Sequence, residues 1–192
     1  AYETFLVNAR MLSVLSPLAP TDLANGQSAG IQIGTGDQDN YIKLAVAANA
    51  GNLDILVLHE ENGILVSETF LPASIPIGAQ VDLFFEINPT LGTVTPAWQV
   101  DGGTLETGAP ITLASGSSIR SAIEGTYQNA GVASAMAVGV IATHGSTNTP
   151  FSAQYDNINV YAGSLADQAT TTVLAASSTE SLSFDASNTF IH

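Results

Sequence analysis

Paired carboxylates, histidines, clustered oxygen ligands and aromatic rings beside polar groups are the side chains of this 192-residue sequence that could do chemistry. Glu60-Glu61 and the pair Asp82/Glu86 are the closest acidic sets. The first sits at the end of an apolar run in a hairpin turn. The second shares one strand face, but four residues along a strand span about 13 Å, whereas a nucleophile and acid/base pair acting with retention stand about 5 Å apart. His59, His144 and His192 are too scattered for a zinc site, and a lone histidine at a strand end reads as a solvated side chain with no role. No G-x-S-x-G elbow supports a serine nucleophile. The absence of cysteine excludes thiol catalysis and cysteine-based metal sites. The chain is therefore expected not to be an enzyme.

Asp37, Asp39 and Asn40 lie in the glycine-bearing stretch Gly34-Thr-Gly36-Asp37-Gln-Asp39-Asn40. Their oxygens have the chemistry of a calcium loop, and the same residue types are also the preferred ones of a plain turn; both readings stand. For sugar binding the useful groups are aromatic faces beside planar amides and carboxylates. Trp98, the sole tryptophan, alternates with Val94, Pro96 and Val100 and is expected in the core, leaving Thr93, Thr95, Ala97 and Gln99 on the other face. Tyr41 shares the polar face of its strand with Lys43, and Phe84 shares that of Asp82 and Glu86. Alternation thus gives a candidate ligand surface of Tyr41, Phe84, Glu86 and Gln99.

The elements that must position these groups are strands. Ile31 and Ile33 flank Gln32, and Ile42, Leu44 and Val46 alternate with Tyr41, Lys43 and Ala45, the period of two expected of a half-buried strand. Gly30 to Val46 therefore reads as a hairpin. Further strands are expected over Thr4 to Leu15, Leu53 to His59, Ile64 to Leu71, Val81 to Ile87, Thr93 to Val100, Ala135 to Thr143 and Ser152 to Tyr161, with Glu60-Glu61-Asn62-Gly63 as a second hairpin turn. Ser118 to Ile123, with Ile119 and Ile123 at i, i+4, is the best candidate for a short helix or helical turn. Strands spaced by roughly 8 to 12 residues, without sustained helical periodicity, predict an all-β, two-sheet antiparallel sandwich over residues 1–163. Residues 164–192 are rich in Ala, Ser and Thr and form either a linker or, through Ser181 to His192, a strand that docks on an edge.

With 17 acidic against 3 basic residues and a formal net charge of -14, the chain repels polyanions, which excludes nucleic acid as a partner. No apolar run approaches the roughly 18 to 20 residues that insertion as a membrane helix requires. Only 10% of residues are charged, a surface composition expected of an extracellular protein, secreted or at the cell surface. The start at Ala1, with a strand following almost at once, gives the expectation of a piece of a larger protein.

The order Leu23-Ala-Asn-Gly-Gln-Ser-Ala-Gly30, Gly34-Thr-Gly-Asp-Gln-Asp-Asn-Tyr-Ile-Lys-Leu44, Asn88-Pro-Thr-Leu-Gly-Thr-Val-Thr-Pro96, Ala137-Val-Gly-Val-Ile-Ala142 and Tyr155-Asp-Asn-Ile-Asn-Val-Tyr161 resembles the concanavalin A-like jelly rolls. It is most similar to the laminin-G-like, lectin- or glucanase-type modules of bacterial secreted and surface proteins, over roughly Tyr2 to Gly163. The resemblance implies two curved sheets, extracellular carbohydrate or protein ligands and often one structural calcium, with Asp156 at the position of a calcium-binding aspartate on the last strand. The E-x-D-x-E run of the family's glucanases is missing. The expected function is a non-catalytic carbohydrate-binding or adhesive module whose partners are a glycan or a neighbouring domain. The alternative is an assembly module that self-associates through edge strands and its tail.

Overall fold

The computed structural model describes residues 3–18, 20–145, 150–168 and 182–185. In chain order the strands are β1 (Phe5–Ser16), β2 (Gln27–Gly34), β3 (Tyr41–Asn49), β4 (Asn52–Glu61), β5 (Ile64–Leu71), β6 (Val81–Asn88), β7 (Thr93–Val100), β8 (Glu106–Thr107), β9 (Ile111–Thr112), β10 (Gln128–Asn129), β11 (Val132–Ala133), β12 (Ala137–His144), β13 (Ser152–Ala162) and β14 (Leu182–Asp185). A 3-10 turn spans Pro20–Asp22, and two short helices, α1 (Ser118–Ile123) and α2 (Leu165–Gln168), complete the elements. One sheet runs β12-β2-β3-β4-β5. The other runs β14-β13-β1-β6-β7-β8, with β9 also on β7. Every ladder in both is antiparallel. The chain is the all-β, two-sheet antiparallel sandwich that its alternation predicts.

The predicted hairpin is β2–β3, with Ile31 opposite Leu44 and Ile33 opposite Ile42. Asn62 and Gly63, at φ 53° and 69°, close β4 on β5, the positive φ pair that matches the right-handed twist of two flanking strands. Inward-facing Ile31, Ile33, Ile42, Leu44, Val46 and Ile55 of the five-stranded sheet meet Val7, Met11, Leu83, Phe85, Val94 and Trp98 of the other, forming one core. Trp98 lies there as its alternation predicts.

Part of the outer face of the seven-stranded sheet is also covered. Leu6, Phe84, Ala97 and Leu165 form a second apolar cluster, in which α2 is laid against β1, β6 and β7. The packed unit thus runs past Gly163 to Gln168. Beyond it, Leu182–Asp185 pairs with β13; residues 169–181 and 186–192, with most of the expected linker or docking strand and His192, lie outside the described residues.

The two layers are tied by Tyr155, fully buried on β13, whose hydroxyl donates to the Gly30 carbonyl on β2 at 2.8 Å. Burial raises its pKa well above the ordinary phenol value, with the hydrogen bond opposing, so the hydroxyl stays protonated as a donor. Tyr155→Phe removes this bond at nearly constant volume and is expected to cost about 1–3 kcal/mol, because a buried carbonyl loses a partner. Equilibrium urea unfolding checks this through a lowered midpoint at unchanged slope.

Candidate functional site

Directly paired residues of antiparallel strands share a face, so the registers define two rows on the outer side of the five-stranded sheet. Gln32 pairs with Lys43, Lys43 with Leu58 and Leu58 with Glu68. In the neighbouring row Tyr41 pairs with Glu60, and its hydroxyl donates to Glu60 Oε2 at 3.4 Å. Burial, then Glu60, raises the Tyr41 pKa. Tyr41, Gln32, Leu58 and Glu60 are half-buried and Glu68 is exposed.

Lys43 is at the centre of this set and only 5% exposed. The chain holds three basic residues. Arg10 pairs with Asp82 and Arg120 with Glu124, whereas Lys43 has no ion pair among the described residues. Its Nζ donates to Ser28 Oγ at 2.7 Å. Thr143 Oγ1 donates to the Gly26 carbonyl at 3.1 Å, so the 2.8 Å contact between Ser28 and Thr143 is made by the Ser28 proton. The relay runs away from the lysine and leaves two of its three N–H groups free of any partner among the described residues. Burial pushes its pKa down to about 8, with distant Glu68 opposing. Lys43 thus combines a costly position with unused donors.

The predicted ligand residues do not share one surface. Tyr41 lies on β3 in the five-stranded sheet, while Phe84, Glu86 and Gln99 lie on the outer side of the other sheet. There Phe84 is buried in the second cluster. Glu86 Oε2 accepts the backbone N–H of Leu165 at 2.6 Å, holding the start of α2, and Gln99 donates from Nε2 to the Gly103 carbonyl. Asp82 is occupied by a bidentate pair with Arg10, at 2.8 and 3.2 Å, which raises the guanidinium pKa. Gln32, Glu60 and Glu68 were missing from the predicted set; their pairing register with Tyr41 and Lys43 is what identifies them.

The expected calcium ligands fit a cation poorly. Asp37 Oδ1 accepts from Asp39 N, Asn40 N and Asn40 Nδ2, and Oδ2 accepts from Thr35 Oγ1. Burial disfavours its charge, but these donors outweigh it and lower the pKa. Those donors stand where a metal would have to approach, so Asp37 is the organiser of the turn and Asp39 a donor to it. Asp156 is on β13 of the other sheet, close enough to Arg10 to raise the guanidinium pKa. Among the described residues no three His, Asp or Glu groups converge on one point. Calcium or a chelator is accordingly expected to leave Tm unchanged in wild type and in Asp156→Ala alike, measured by calorimetry; a calcium-dependent rise lost in the variant would restore the metal.

His144 is exposed. His59, expected to be solvated, is instead 6% exposed, because it faces inward in register with Ile42 and Ser67. Its pKa is lowered by burial, with Glu61 opposing. No helix among the described residues is long and apolar enough to cross a membrane.

No protein-family model matches the chain, and no curated protein matches it in sequence. Among solved structures it is similar to the Bacteroides ovatus xyloglucan-locus protein GH43B, with a TM-score of 0.52 and 14% identity over 74% of this chain and 24% of that one. The chain thus spans about a quarter of that protein's length. Xenopus laevis galectin-Ib aligns over 82% of this chain and 90% of its own with 12% identity and a TM-score of 0.47. The CBM40 of Ruminococcus gnavus IT-sialidase, bound to alpha2,6 sialyllactose, aligns over 74% and 66% with 14% identity and a TM-score of 0.38. At such identities the likeness is one of fold alone, a two-sheet antiparallel β-sandwich.

Proposed function

We propose that this chain is a non-catalytic, extracellular carbohydrate-binding module of a larger secreted or surface protein, holding its sugar on the outer face of the five-stranded sheet. The observation that carries this reading is Lys43, a buried ammonium with two unused N–H donors beside a half-buried tyrosine, an amide and two carboxylates. Sugar hydroxyls would accept from Lys43 and donate to Glu60 and Glu68, Gln32 can do both, and the ring of Tyr41 offers an apolar face to a pyranose. Glu60, Glu68 and the net charge of -14 disfavour acidic sugars, so neutral oligosaccharides are the class. The resemblance to laminin-G-like modules, which implies carbohydrate or protein ligands, supports the reading.

The test is a neutral-glycan array, xyloglucan fragments included, followed by calorimetric titration of the best hit. Saturable binding is expected, weakened at least about tenfold in Tyr41→Ala, as loss of one stacking contact of about 1.5 kcal/mol implies. No binding by any glycan, or undiminished binding by Tyr41→Ala and Lys43→Met, would contradict the reading. A second reading, self-association, is favoured by Ile64, Leu65 and Val66, 67%, 52% and 56% exposed on edge strand β5, where unpaired backbone can accept another strand. Concentration-dependent sedimentation abolished by Val66→Lys would establish it.

A further inference from the structure

On the side of the sandwich away from Lys43's row, the two sheets gape. The inner faces of β4 and β5 and the edge formed by β7 and β9 enclose a cleft of about 430 Å³, within the volume range of small-molecule sites. Its apolar walls include Val57, Leu71, Pro96 and Ile111, and its polar groups are His59, Glu61, Ser67, Thr69 and Thr112. Well-packed interiors leave few voids of this size, and this one opens outward along an edge strand.

One atom of the cleft wall is unexplained. His59 Nε2 is buried and has no hydrogen-bond partner. An unpaired buried polar atom is costly, and in a folded chain such an orphan calls for a reason. Burial lowers the pKa of the imidazole, with Glu61 opposing, and in the neutral ring Nε2 either donates or accepts according to tautomer. Because Nε2 is closed to water, a ligand reaches it with an adjustment of the ring. A half-turn about the Cβ–Cγ bond exchanges Nε2 with Cε1 and keeps the outline of the side chain, so its neighbours need not move.

We propose that this cleft is a second ligand site, separate from the sugar-binding face, which takes a small, mostly apolar molecule carrying one hydroxyl or carbonyl group, with His59 as its polar anchor. The apolar walls supply affinity and His59 Nε2, the buried polar atom left without a partner, selects the polar substituent, since an analogue lacking that substituent leaves it unpaired. Neither catalysis nor a sugar is involved, so failure of the glycan reading leaves this one standing, and the reverse.

The test uses 4-methylphenol and toluene, which differ by one hydroxyl, titrated into the full chain and followed through backbone amide shifts in two-dimensional NMR. Expected are saturable shifts at Val57, His59, Thr69 and Ile111 with 4-methylphenol, and about tenfold weaker binding of toluene. His59→Phe, which keeps a ring and drops the nitrogens, should erase that preference. Thr69→Trp changes an exposed strand position and should block both probes by filling the cleft while leaving the spectrum folded. Absence of shifts with either probe, shifts confined to the Tyr41 face, or an unchanged preference in His59→Phe would overturn the proposal. Should His59→Phe fail to fold, the wild-type preference together with Thr69→Trp decides.

Discussion

Replacing Lys43 with methionine is expected to make the protein more stable at pH 7, by on the order of 3 kcal/mol, and to weaken glycan binding. The folded-state pKa is about 8, against 10.5 for an ordinary lysine, and the difference measures how much burial disfavours the ammonium. Between pH 8 and 10.5 the unfolded chain holds this proton and the folded chain does not, so wild-type stability rises with pH across that window. Below pH 8 the penalty is fully present; above 10.5 it is gone. The gain in Lys43→Met should therefore be full at pH 7 and vanish by about pH 11. For a domain of this size it corresponds to a Tm rise of roughly 6–12 °C. A gain in stability at the cost of binding is the pattern expected of a residue kept for its task. Thermal melts of both proteins across pH 6 to 11 measure it, and a destabilised variant at pH 7 would mean the ammonium has partners that repay its burial.

The second large effect concerns Gly30, at the centre of the β2–β3 ladder. A Cβ there would lie 2.1 Å from the Leu44 carbonyl oxygen, 2.5 Å from Ala45 Cα and 2.8 Å from Ala45 Cβ. These are backbone or backbone-fixed atoms in mid-sheet, so neither side can yield without parting the strands, and the Gly30 carbonyl is also the acceptor for Tyr155. Gly30→Ala is expected to cost about 3 kcal/mol or more, at or above the upper end of ordinary overpacking. Gly139→Ala is the control: it sits in the same sheet, and its nearest atoms are those of the Gln32 side chain at 4.0 Å. Only the first should show a large fall in the urea midpoint, and equal effects would refute the close approach.

Much of the scaffold was legible because its signals are local. The bounds of β5, β7 and α1 coincide with those expected from Ile64 to Leu71, Thr93 to Val100 and Ser118 to Ile123, and the Asn62-Gly63 turn is as its residues demand. The site was legible only in part. Alternation tells which residues of a strand share a face, so Tyr41 and Lys43 were rightly put together. It does not tell which sheet a strand joins, and β3 and β6 fall in different sheets, which separates Tyr41 from Phe84. Helix α2 has four residues, too few for a periodic signal, so nothing announced that Leu165 would cover Phe84 or that Glu86 would hold its first N–H. His59 was misread because its position at the end of an apolar run resembles a solvated strand end, whereas its register with Ile42 turns it inward.

The most direct test of the sugar-binding face is to map, by backbone amide shifts, where the best neutral oligosaccharide from the array touches the isotopically labelled chain. Saturable shifts should cluster at Gln32, Tyr41, Lys43, Leu58, Glu60 and Glu68 and be lost in Lys43→Met. Shifts clustered instead around Phe84, Glu86 and Gln99 on the seven-stranded sheet, or none at saturating sugar, would contradict it.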